Sequence, residues 1–143
     1  MHPVAIVKRD RFLRMNLERV FSKAPWEDKV GYCRALKAGN HIYVTGTAPI
    51  DEAGTGVHKP GDAYAQAWRC LELIERSLAQ LGASRKNVVR TRMFVTDISR
   101  WAEYGRAHAG FFRSDKPTTT MVEVKALIDP KMLIEIEADA IVL

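Results

Sequence analysis

Two carboxylates near the end of the chain, Glu135 and Glu137, stand one position out of phase with the aliphatic residues Ile134, Ile136 and Ala138. In an extended strand this spacing puts Leu133, Glu135 and Glu137 on one face and the aliphatic residues on the other. The plainest reading is a strand with a solvated outer face. The chemically productive one is a carboxylate in a partly desolvated cleft, where its pKa rises and it can pass protons to and from water.

Other chemistries fail on spacing. The four histidines, His2, His41, His58 and His108, lie far apart with no ligand spacing, so no metal site is expected. The Gly-containing segment Asp51–Gly61 lacks the Lys-Ser/Thr ending of a phosphate loop, and no Gly-x-Ser-x-Gly elbow is present. Cys33 and Cys70 have neither Cys-x-x-Cys spacing nor a nearby histidine pair, which fits two reduced thiols of a cytoplasmic protein.

The elements that must position these residues can be read in order. With 143 residues, 47% of them hydrophobic, the chain suits one domain with a real core. Residues 1–29 form an N-terminal extension ahead of a domain spanning 30–143. Within the extension, Val4–Val7 reads as a short strand or extended arm. Asp10–Phe21 places Phe12, Leu13, Leu17, Val20 and Phe21 at near-helical spacing, as in a short amphipathic helix. Next come a strand, a Gly39-Asn40 turn and a second strand. A helix follows, capped by Asp62 and ended by Gly82, with Ala63, Ala67, Cys70, Leu71, Ile74, Leu78 and Leu81 on one stripe; Cys70 there is a core residue.

Val88–Asp97 reads as a strand with Val89, Thr91, Met93 and Val95 on one face. Ser99 is placed to cap a second helix running to Phe112. Pro117–Leu143 reads as two strands joined by a short turn at Asp129-Pro130, with Thr119, Met121 and Glu123 sharing a face of the first. The order β-β-α-β-α-β-β, with strands separated by two helices, predicts an α+β two-layer sandwich. Two helices cover one sheet face, yet apolar positions occur on both, which predicts assembly.

The net charge of +5 permits contact with an anion, but the basic residues are scattered rather than interleaved with aromatics, so nucleic acid is not expected as a partner. No apolar run approaches membrane-spanning length, and Val4–Val7 is too short for a secretory signal.

The segment Pro117-Thr-Thr-Thr-Met-Val-Glu-Val, then Leu127 and Ile134-Glu-Ile-Glu-Ala138, resembles the closing motif of the RidA (YjgF) family. Tyr32, Gly39, Asn40, Gly46 and Pro49 match its first hairpin, and Val89, Met93, Phe94, Val95 and Asp97 its middle strand. The likeness runs from Val30 to Leu143. It implies a chorismate-mutase-like α+β fold and a homotrimer with small-molecule clefts between subunits. It also implies hydrolytic deamination of enamines or imines without a cofactor.

In the family's deaminases a last-strand Glu positions water, an Arg grips the substrate carboxylate, and a Tyr and a Ser-Gly pair line the cleft. By resemblance the Glu is Glu135, the Tyr is Tyr32 and the Ser-Gly is Thr45-Gly46, while Thr119 stands at the Arg position. Cys33, Thr45 and Thr47 replace the usual Ser, Ser and Gln, and Gly105 replaces an Asn.

A guanidinium grips a carboxylate through two charge-assisted bonds; a threonine hydroxyl offers one neutral donor. Its loss costs on the order of 2–4 kcal/mol of carboxylate binding. Arg34 and Arg92 are the candidate replacement cations. Three functions follow: deaminase-type hydrolysis of a noncanonical substrate, ligand binding or sensing without turnover, and, last, ribonuclease activity.

Overall fold

The computed structural model describes residues 17–143. Its strands are β1 Leu17–Val20, β2 Ala35–Ala38, β3 His41–Thr47, β4 Val88–Val95, β5 Thr118–Glu123 and β6 Ile134–Ile141. Its α-helices are α1 Pro25–Val30, α2 Ala63–Ala79 and α3 Trp101–Phe112. The strands form one open sheet in the order β1-β2-β3-β6-β4-β5. Every pairing is antiparallel except β4 with β5, which are parallel and connected through α3. The chain is thus an α+β mixed sheet, as the strand and helix order predicts.

The core lies between the sheet and α2 with α3. Ile42, Val95, Ile134 and Ile136 of the strands meet Leu71, Ile74 and Leu78 of α2 and Tyr104, Phe111 and Phe112 of α3, all essentially buried. Asp62 caps α2 by accepting the Ala65 N–H at 2.9 Å. Cys70 is fully buried beneath the sheet, and desolvation pushes its thiol well above the ordinary range, as suits an inert core residue. The opposite sheet face is not packed by α2 or α3 and leaves Tyr43, Val89 and Val122 exposed.

Several sequence-based expectations need correction. Leu17–Val20 is a strand rather than the end of a helix, because the free edge of β2 offers it a hydrogen-bonding partner over Ala35–Ala38. The remainder of that expected helix, and Val4–Val7, lie outside the described residues. The sheet therefore begins ahead of residue 30, within the segment assigned to the extension. Beyond it, α1 is tied down by buried Glu27, which accepts the Ser22 N–H and hydroxyl.

Val89 faces out. An irregularity in the β4–β6 ladder between Val88 and Arg90 breaks the alternation, so Val88 is buried in its place. Asp97, not Ser99, is the cap after β4; it accepts the Ser99 N–H and opens a 3-10 turn that leads into α3. The two closing strands are not a hairpin. β5 leaves for the sheet edge, β4 lies between it and β6, and the connection spans residues 124–133.

Candidate active site

That long connection helps build the cleft that holds Glu135. Buried Gln66 of α2 holds it: its Nε2 donates to the Lys131 carbonyl at 2.9 Å, and its Oε1 accepts the Leu133 N–H at 2.8 Å. With that end fixed, Val124, Ala126 and Leu127 form one wall of a cavity of about 460 Å³. Tyr32, Thr45, Gly46, Phe94, Glu135 and Glu137 complete it.

Strand β3 shapes the opposite wall. Its register with β6 shifts between Val44 and Thr47, and this bulge sets Thr45-Gly46 against Glu135. A β-carbon on Gly46 would fall 2.8 Å from Glu135 Oε2, so only glycine leaves the carboxylate its place. Burial raises the Glu135 pKa, the Arg34 guanidinium pulls it part of the way back, and Glu137 adds a smaller push upward.

Arg34 stands behind this wall. Its Nη2 donates to the Gly46 carbonyl at 2.7 Å, and its guanidinium carbon lies 5.8 Å from the Tyr32 ring centre. It touches the site through Gly46 and through its field on Glu135. Arg92 is committed elsewhere on the outer face: its Nη1 lies 3.2 Å from Glu137 and 3.3 Å from Asp139. It lines an adjoining cavity of about 720 Å³ that also touches Tyr32 and Thr45.

Thr119 is not part of this cleft within one chain. It pairs with Thr91 on the helix side of the sheet, whereas Glu135 pairs with Phe94 on the outer side. Its hydroxyl lies 2.7 Å from that of Thr91, which lies 2.8 Å from His108 Nε2. Burial lowers the His108 pKa to about 4, so the imidazole is neutral near pH 7.

Tyr32, Thr45, Gly46 and Glu135 are therefore brought together, Arg34 backs them, Arg92 flanks them, and Thr119 is separate. Sequence reasoning missed the wall Val124–Leu127, whose apolar residues carry no chemical signature. It also missed the Thr119–Thr91–His108 chain; Thr91 and Thr119 sit at matching strand positions, but only the parallel pairing joins them. Among the described residues, no cluster of His, Cys, Asp and Glu is placed to hold a metal, and no helix is long and apolar enough to cross a membrane.

The sequence model of the family described as Endoribonuclease L-PSP matches residues 22–142. The 3-aminoacrylate deaminase RutC of Acinetobacter baylyi is 39% identical over 112 residues, which cover 76% of this chain and 85% of that protein. The uncharacterized protein SCO2049 of Streptomyces coelicolor is 32% identical over 124 residues, 87% of this chain and 91% of that one. Among solved structures, Rv2704 of Mycobacterium tuberculosis, a member of the YjgF/YER057c/UK114 family, is similar with a TM-score of 0.79 and 45% identity. That match covers 88% of this chain and 99% of the other. The YjgF gene product of E. coli gives a TM-score of 0.76 at 26% identity over 87% and 98% of the two chains.

Proposed function

The chain belongs to the endoribonuclease L-PSP family, that of the RidA/YjgF proteins, and from that premise we propose that it is a small-metabolite hydrolase of deaminase type. The observation that carries this reading is the half-buried Glu135 carboxylate, set in a cleft against Gly46 with its pKa raised by burial. A carboxylate with its pKa moved toward neutrality exchanges protons with a bound water more readily than an exposed one.

In the proposed reaction Glu135 takes a proton from water as its oxygen bonds to the imine carbon. It returns that proton to nitrogen, giving a carbinolamine, then passes the carbinolamine's hydroxyl proton to nitrogen as the carbonyl forms, the C–N bond breaks and ammonia leaves. An enamine enters the same route once protonated on carbon. One relative in this size range is named a 3-aminoacrylate deaminase, which supports the reaction class. Thr119 at the position of the family's Arg favours a neutral or hydroxylated substrate over a 2-imino acid.

The assembly we propose is a homotrimer whose subunits meet over the uncovered sheet face that exposes Tyr43, Val89 and Val122. In it, Thr119 on the edge strand of one subunit reaches the Glu135 cleft of another. A second reading, binding or sensing without turnover, is supported by the same threonine, whose hydroxyl is already engaged by Thr91.

The test is a trapping assay in which semicarbazide reports imine that survives, run with 2-imino acids and with uncharged imines. Faster loss of uncharged imines supports the hydrolase. Ligand binding without accelerated loss of any imine supports the sensor.

A further inference from the structure

A separate cavity of about 500 Å³ lies between α2 and the loop after β3, on the other side of Arg34 from the Glu135 cleft. Among the described residues, Lys23, Arg34, Arg69 and Arg76 line it together with the carboxylates Asp51 and Glu52. Among the described lining residues four cations stand against two anions, and Glu72, outside the lining, also lies 3.6 Å from Arg69 Nη1.

Arg69 is the anchor. Its side chain is 4% exposed, its Nε donates to the Ile50 carbonyl at 2.8 Å, and its Nη1 bonds Glu52 at 2.7 Å. Arg76 reaches the same Glu52 oxygen at 3.4 Å. Glu52 itself is 73% exposed and hangs from a turn, so an internal carboxylate occupies two converging guanidinium groups while remaining free to swing into solvent. Asp51 is held otherwise: it accepts the Thr55 N–H at 3.1 Å, and its pKa is lowered chiefly by that bond, so it stays charged. Arg34 completes the lining, and among the described residues its buried Nε has no hydrogen-bond partner.

We propose that this cavity binds a small dianion of the phosphate class, which displaces Glu52 from Arg69 and Arg76, and that Arg34 links its occupancy to the Glu135 cleft. With Glu52 swung out, Arg69 and Arg76 present two cations to a dianion, and paired guanidinium groups match the geometry of phosphate oxygens. The link is electrostatic. Arg34 lowers the Glu135 pKa, so an anion beside Arg34 offsets that field and lets the Glu135 pKa rise. The binding site stands independently of what Glu135 catalyses.

The experiment is calorimetric titration of the full chain with inorganic phosphate at low ionic strength. Glu52→Gln removes the competing carboxylate and should tighten binding roughly tenfold, while Arg76→Gln should weaken it by a similar factor. Glu135→Gln should retain binding, which separates this site from the cleft. Absence of binding to both wild type and Glu52→Gln overturns the proposal. So does an affinity that neither Glu52→Gln nor Arg76→Gln changes, or one that Glu135→Gln abolishes. Arg76 is more than half exposed, so its variant is expected to fold, and a thermal melt verifies that. For the link, carbon NMR of the Glu135 carboxyl should show an upward pKa shift with saturating phosphate; an unmoved titration removes it.

Discussion

Gly46 and Glu135 lie so close that a β-carbon on the glycine would stand 2.8 Å from Oε2 and 3.1 Å from Cδ of the glutamate. The atoms it would meet end a flexible side chain, so Gly46→Ala should fold and swing the carboxylate aside instead of breaking the sheet. Displacing a catalytic group by about 1 Å costs about a hundredfold in rate. Gly46→Ala should therefore lose turnover at that scale while its denaturation midpoint moves little. Activity near wild type would show that the carboxylate's present position is not needed.

Arg34 holds the Glu135 pKa below the value that burial alone would set. In Arg34→Gln that pull is gone, the pKa rises further, and fewer molecules carry the base at a given pH. The acid limb of the pH–rate profile should move to higher pH. A limb that stays in place, or moves down, contradicts the assigned coupling.

His108 is neutral in the fold, with its pKa lowered from 6.5 to about 4 by burial. The unfolded chain takes up a proton below about pH 6.5 while the folded one does not. His108 thus contributes stability that is full above pH 6.5 and lost as the pH falls toward 4. His108→Gln can still meet the Thr91 hydroxyl and cannot titrate. Denaturant melts of this variant should show a shallower loss of stability between pH 6.5 and 4 than wild type. An equally steep loss assigns the acid sensitivity to other groups.

Gln66 is fully buried, and its amide joins α2 to the connection that walls the cleft. Gln66→Leu leaves the Lys131 carbonyl and the Leu133 N–H without these partners, at a cost of about 2–4 kcal/mol. Chemical denaturation should show that loss, and amide exchange across residues 124–133 should quicken. A stable variant with unchanged exchange would mean that the connection is held by other contacts.

The elements that local chemistry determines were readable from the sequence. Asp62 caps α2, Gly39-Asn40 turns the first hairpin with Gly39 at φ 59°, and the alternation of β6 places Glu135 and Glu137 on one face. The features that depend on distant partners were not. Leu17–Val20 carries a helix-like period, and only the free edge of β2 makes it a strand. Alternation within Pro117–Val124 shows that Thr119 and Met121 share a face; which layer they face depends on the parallel pairing with β4. That pairing sets Thr119 and Glu135 on opposite sides of the sheet. The bulge that aims Gly46 at Glu135 likewise arises from a register shift between strands far apart in the chain.

The most direct measurement compares imine loss in the trapping assay for wild type and Glu135→Gln, which keeps the side chain's size and removes its capacity to act as a base. Proton transfer by a placed carboxylate contributes about a hundredfold to ten-thousandfold in rate. Wild type is expected to accelerate loss of an uncharged imine, and Glu135→Gln to lower this acceleration by at least about a hundredfold, with thermal stability retained. Equal acceleration by the two proteins would contradict the assignment of Glu135 as the group that handles the water's proton.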